Sequence, residues 1–204
     1  MTPRGLWSEG VETIIDGTSR VTLLRDAIAP DDEARLLTEI VDGLAWRQDH
    51  IVIHGVRHPV PRLQAWVGDP DAAYAYSGIT LDPTPWTDPV LELRSLAAEH
   101  AGVAFNSVLV NRYRTGDDAL AWHADDEPEL GPEPVIVGVS LGATRRFRLR
   151  RRDDHAISIG LDLPGGSLLV MAGRTQVEWE HCVPRTARPV GERLNLTFRC
   201  IARP

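Results

Sequence analysis

The spacing of apolar residues changes character near residue 105. Before it, "APDDEARLLTEIVDGLAW" places acids in a first turn and then sets Ala34, Leu37, Ile40, Val41 and Leu44 at helical intervals, which predicts an amphipathic helix. A second helix is predicted in "WTDPVLELRSLAAEHAG", with Asp88 as its cap, Pro89 at the first helical position and Gly102 just past the end. Residues 46 to 86 between them hold Gly, Pro and aromatic residues without helical period, so short strands and long loops are expected there. From Phe105 onward the runs "FNSVLVNRY", "PVIVGVSLG", "RRFRLR", "AISIGLDL", "GSLLVM", "VEWEHCV" and "RLNLTFRCI" are β-branched or alternating and separated by turn residues. Many short strands after helices confined to the front predict an α+β chain, mainly β: a double-stranded β-helix, or jelly roll, braced by N-terminal helices.

Composition adds bounds. With 204 residues, 43% of them hydrophobic, the chain can bury one core, and a single domain spanning 1–204 is expected. The first residues, "MTPRGLWSEGVETIIDG", carry acids where a signal peptide needs an apolar stretch, and no later run reaches membrane-spanning length, so a soluble, cytoplasmic protein is expected. Cys182 and Cys200 form no CxxC pair, which argues against a disulfide framework or thiolate zinc site and for two small buried hydrophobes. The net charge of -7 argues against indiscriminate polyanion binding. Yet all 22 basic residues are arginines, and six of them, Arg145, Arg146, Arg148, Arg150, Arg151 and Arg152, crowd into "TRRFRLRRRDD" as a local anion-binding candidate.

The opposite charge concentrates in "DALAWHADDEPEL", where Asp125, Asp126, Glu127 and Glu129 follow His123 closely. Such acids repel one another unless something positive sits among them. In an extended stretch His123 and Asp125 leave the same face and can grip one ion. His181 follows in "EWEHCVP", and two histidines with one carboxylate form the facial triad of non-haem iron(II) oxygenases. The H-x-D spacing alone is weak, being equally that of a surface histidine beside acids. In "GERLNLTFRC", Arg193, Asn195, Thr197 and Arg199 alternate with Leu194, Leu196 and Phe198, giving either a strand that shows its polar face to water or one that offers two guanidinium groups to a dicarboxylate such as 2-oxoglutarate. Asn111 and Tyr113 alternate onto one face upstream, as further hydrogen-bond donors or as a polar strand end.

Taken together, "NRYRTGDDALAWHADDEPEL", "PVIVGVSLGATRRFRLR", "GGSLLVM", "WEHCVP" and "RLNLTFR" resemble the AlkB family of Fe(II)- and 2-oxoglutarate-dependent nucleic-acid dealkylases, in the branch with the human double-strand DNA repair paralogue. The resemblance covers roughly residues 50 to 202. It implies an N-terminal extension over 1–104, with helices and a nucleotide-recognition lid, and a jelly-roll catalytic core over 105–202. His123, Asp125 and His181 match the iron ligands; Asn111, Tyr113, Arg193, Asn195 and Arg199 match the 2-oxoglutarate pocket, Arg193 at the distal carboxylate and Arg199 at the one nearest the metal. With dioxygen such enzymes convert 2-oxoglutarate to succinate and carbon dioxide and remove N-methyl groups as formaldehyde.

By the same resemblance Asp126 and Glu127 match the acids at the base site, where a carboxylate favours cationic 1-methyladenine and 3-methylcytosine over neutral bases. Glu129 stays a solvated turn residue. Tyr76, in "AYAYSGITLDPTPW", matches the aromatic that sandwiches a flipped base against His123, with Tyr74 nearby. "VPRLQAWVGD" places Arg62 and Gln64 near nucleic acid. His54, before Gly55 in "VIHGV", stands where the paralogue carries an aromatic wedge, which leaves duplex preference open. Arg146, Arg148 and Arg150 share a face that can follow phosphates, or can serve as a charged sheet edge. The partner implied is DNA or RNA carrying alkylated bases, acted on by a monomer without a membrane. Two other readings stay open on the residues: an oxygenase acting on a protein side chain or small molecule, and a non-catalytic jelly-roll module binding a metal or anion.

Overall fold

A computed structural model describes residues 10–53, 55–72, 74–76, 79–81 and 83–202 of the chain, with the side chains of residues 53 and 74–81 left aside. The chain opens with β1 (Val11–Ile15) and β2 (Ser19–Leu24), a hairpin closed by Asp16 and Gly17. Helix α1 (Pro30–Gly43) follows, then β3 (His50–Ile53), β4 (Val56–Pro59), β5 (Leu63–Gly68), β6 (Tyr74–Tyr76) and β7 (Ile79–Leu81). Helix α2 (Asp88–Ala101) leads into β8 (Ser107–Tyr113) and β9 (Leu120–His123), and a single 3₁₀ turn at Pro128–Leu130 leads to β10 (Ile136–Gly142). The remainder is β11 (Arg145–Arg151), β12 (Ser158–Leu163), β13 (Ser167–Gly173), a helical turn α3 (Thr175–Glu178), β14 (Trp179–Val183) and β15 (Arg193–Arg199). No helix among the described residues is long and apolar enough to cross a membrane.

Two antiparallel sheets face each other. The larger has seven strands in the order β1-β2-β13-β10-β15-β8-β5, and the smaller has four in the order β12-β11-β14-β9. The larger sheet draws β1, β2 and β5 from the front of the chain and β8, β10, β13 and β15 from the rest. Its outer face packs on the helices: Leu36, Ile40, Val90, Leu93 and Ala97 meet Val108, Val110, Val137, Val139, Leu194, Leu196 and Phe198. Its inner face meets Phe147, Leu149, Leu161 and Leu163 of the smaller sheet through Leu109, Ile136, Leu169 and Met171. Each fully buried aliphatic side chain contributes roughly 1.5–3 kcal/mol. The strand period of two therefore sends Leu194, Leu196 and Phe198 to the helices and Arg193, Asn195, Thr197 and Arg199 to the space between the sheets.

Several local expectations change. Thr87 occupies the cap of α2 and Asp88 is already its first residue, while Gly102 ends it with φ 69° as expected. On α1 the deepest residues are Leu36 and Ile40. In "VEWEHCV" the first two residues belong to α3, because Gly173, with φ 60°, turns the chain out of β13 before it re-enters the sheet at Trp179. Cys182 is buried as expected, whereas Cys200 is exposed.

Candidate active site

The mouth of the jelly roll is built by β9, β14 and the strands opposite. His181 pairs directly with His123 across the β14–β9 ladder, and Val183 pairs with Leu120. Two steps on β14 therefore match three on β9, so the ladder carries a bulge and both Leu120 and His123 line the same pocket. The two imidazole centroids lie 4.2 Å apart, and Phe147 stacks on His181 at 5.3 Å. Asp125 lies two residues beyond β9, its backbone N–H donating to Gln176 Oε1 at 2.9 Å. One donor atom from each of His123, Asp125 and His181 lies within 4.8 Å of the others. The nearest approaches are 3.8 Å from His123 Nε2 to Asp125 Oδ1 and 3.6 Å from His181 Nε2 to Asp125 Oδ2. Donors held about 2 Å from one shared ion sit about 3 Å or more from each other, so this spacing suits a bound metal.

The protonation states suit it as well. His123 Nδ1 is 2.9 Å from the Ala121 carbonyl, which only accepts, so Nδ1 carries the proton and the Nε2 lone pair is left for a metal. Burial, with His123 adding to it, pushes His181 down to about 3 and keeps it neutral. Burial opposes a charge on Asp125, but the adjoining guanidinium of Arg199 counters it, and the carboxyl is held below its usual range. Arg199 donates to Asp125 Oδ1. Asp125 Oδ2 is buried with no hydrogen-bond partner among the described residues, an acceptor that a cation would satisfy.

Behind the triad lies an anion pocket. Arg193 is 1% exposed. Its NH2 donates to Ser140 Oγ and Asn195 Oδ1, both at 2.9 Å, while Nε and NH1 are buried and have no hydrogen-bond partner among the described residues. Burial lowers its pKa to about 10, so it stays charged at neutral pH. The Tyr113 ring lies between Arg193 at 5.3 Å and Arg145 at 5.5 Å. A buried guanidinium with two unused donors fits a carboxylate, and Arg193 would hold the distal one of 2-oxoglutarate with Asn111, Asn195 and Arg199 lining the way to the triad.

The remaining candidates divide. Asp126 is exposed and pairs with Arg152 at 2.7 Å; Arg152 also donates to the Gln176 carbonyl at 3.1 Å. Glu127 is half-buried, and its Oε2 is buried with no hydrogen-bond partner among the described residues. Arg62 and Gln64 are buried and both donate to Asn111 Oδ1, at 2.7 and 3.2 Å. Tyr74 and Tyr76 are on β6, opposite Leu81 and Ile79 of β7, but their side chains lie outside the described residues, as does His54 altogether. The arginine run is largely spoken for: Arg145 is buried and donates to the carbonyls of Thr115, Asp118 and Pro184, and Arg146, Arg150 and Arg151 pair with Asp162, Glu180 and Asp153. Trp122 lies under Arg148 and Arg150, at 5.7 and 4.1 Å. Sequence reasoning missed Gln176 and Ser140, and saw Arg152 only as one of an arginine run without its pairing to Asp126, because these contacts join distant segments and leave no local signal.

A metal triad backed by buried cations in a jelly roll is the arrangement that a 2-oxoglutarate-dependent oxygenase requires, and residues 20–199 match the model of the 2OG-Fe(II) oxygenase superfamily. Alpha-ketoglutarate-dependent dioxygenase alkB homolog 3 of Rattus norvegicus is 37% identical over 98% of this chain and 71% of its own length. DNA oxidative demethylase ALKBH2 of Homo sapiens is 42% identical over 88% of this chain and 72% of its own. The chain belongs to the AlkB family of Fe(II)- and 2-oxoglutarate-dependent dioxygenases. The solved structure of OsALKBH1 shares its fold, with a TM-score of 0.64 at 19% identity, covering 88% of this chain and 97% of that one.

Proposed function

We propose that the chain removes N-alkyl groups of the 1-methyladenine and 3-methylcytosine type from DNA or RNA. The observation that carries this reading is the turn after β9, in which Asp125 is buried against Arg199 while the next acid, Asp126, stands at the surface beside it. One carboxylate serves the metal, and its neighbour, paired in the free protein with Arg152 at 2.7 Å, exchanges that surface partner for a cationic base. Relatives named as a DNA oxidative demethylase support the same substrate class. Bound ferrous iron, with 2-oxoglutarate and dioxygen, supplies the oxidation that ends in succinate, carbon dioxide and formaldehyde.

The chain's own residues position and discriminate. Arg193 holds the distal carboxylate, Arg199 the one nearest the metal while keeping Asp125 ionised, and Asn111, Tyr113 and Asn195 complete the co-substrate pocket. Asp126 takes the exocyclic amine of the flipped base, with Glu127 next to it. Arg148, together with Arg146 and Arg150, borders the phosphate chain. The test is formaldehyde release from single- and double-stranded oligonucleotides, DNA and RNA, carrying either lesion, with His123→Ala as control. Succinate formation without formaldehyde from any of them would move the substrate to another class.

A further inference from the structure

Arg62 is an anomalous charge within the pocket wall. It is 5% exposed, and among the described residues its partners are neutral: Nε donates to Asn111 Oδ1 at 2.7 Å and NH1 to the Ala119 carbonyl at 3.3 Å. A guanidinium buried without a counter-ion is costly, and the cost falls when an anion enters beside it. The main chain fixes its place, since Ala119 N donates to the Pro61 carbonyl at 2.8 Å, tying the corner before β5 to the start of β9.

Asn111 is where this charge acts. Its Oδ1 also receives Gln64 Nε2 at 3.2 Å, and Gln64, Asn111 and Asn195 stand in one row across β5, β8 and β15. Two donors on one amide oxygen fix the orientation of that amide, leaving the NH2 end as the part able to serve another group. Carboxylate and keto oxygens only accept, so a fixed NH2 suits a 2-oxo acid, whereas a flipped amide would oppose it with an oxygen.

We propose that Arg62 is a positioning residue of the co-substrate pocket, acting through Asn111 on the anionic 2-oxo acid, and is not a nucleic-acid contact. The proposal rests on Asn111 being a co-substrate contact, as read above. It is tested by measuring 2-oxoglutarate affinity of the Mn(II)-loaded protein by calorimetry, and oligonucleotide affinity of the same samples by fluorescence anisotropy. Arg62→Met is expected to weaken 2-oxoglutarate binding roughly tenfold, the worth of one charge-assisted hydrogen bond, with oligonucleotide affinity held within about twofold. In an Asn111→Ala background the same change is expected to cost clearly less, because the two side chains share one interaction. Should Arg62→Met fold poorly, Arg62→Lys keeps the charge but cannot span Asn111 and Ala119, and a several-fold loss is expected.

Unchanged 2-oxoglutarate affinity in both Arg62 variants, or a loss confined to the oligonucleotide, overturns the proposal. So does full independence of the Arg62 and Asn111 effects. If Asn111→Ala itself leaves 2-oxoglutarate binding intact, the assignment of Asn111 has failed, an outcome separate from a failure of Arg62 alone.

Discussion

Gln176 touches neither metal nor substrate in this arrangement, yet its Oε1 holds the backbone N–H of Asp125. Gln176→Leu is expected to lower Mn(II) affinity by about 10–100-fold, the usual cost of losing an outer partner of a metal ligand, as read by the paramagnetic signal of free Mn(II). Asp125→Ala should exceed that, since it removes a metal ligand outright together with the carboxylate that accepts from Arg199. Asp126→Ala is expected to keep metal affinity within about threefold while losing preference for cationic over neutral lesions, measured as competing formaldehyde yields; an unchanged preference sinks its role. His123, Asp125 and His181 were legible only once the weak H-x-D spacing was joined to the family resemblance, while strand period put Arg193 on a polar face without fixing what that face meets. Gln176 was not, because glutamine in a helical turn has no chemistry of its own until the fold sets it against β9.

The two helices could be read from caps and apolar spacing, and β15 from alternation, which left open whether its guanidinium face met water until the helices were seen to cover the leucines. The hairpin β1–β2 escaped, although Asp16 and Gly17 between β-branched runs are a turn signal and Val21 and Leu23 are fully buried. Strand β9 escaped for another reason: a strand of four residues inside an acid-rich loop has no composition of its own, and pairing with β14 creates it. The turn into α3 depends on Gly173, whose φ is 60° and where an added Cβ would lie 2.3 Å from the Thr18 carbonyl. Gly173→Ala is therefore expected to destabilise the protein by more than about 1 kcal/mol in thermal unfolding and, by shifting Gln176, to weaken Mn(II) binding alongside.

Across the whole molecule, the burial of charge couples folding to pH. In the metal-free protein His181 stays neutral down to about 3, while in the unfolded chain it takes a proton near 6.5. Between those values the unfolded state binds the extra proton, so stability is full above 6.5 and falls as pH drops towards 3; Asp125, held below its usual range, adds loss of the same sign at the acid end. Melting curves of the metal-free protein should show this decline, and His181→Gln should flatten it. Charge also limits the grip on nucleic acid: with Arg146 and Arg150 already paired to acids, the slope of log affinity for a single strand against log salt should correspond to no more than about three phosphates. The β9 bulge carries one last implication. The atom that decides which ring nitrogen of His123 keeps its proton is the peptide oxygen of Ala121, and every amino acid supplies that oxygen. Side-chain changes at position 121 alter what neighbours the imidazole while leaving that acceptor in the chain.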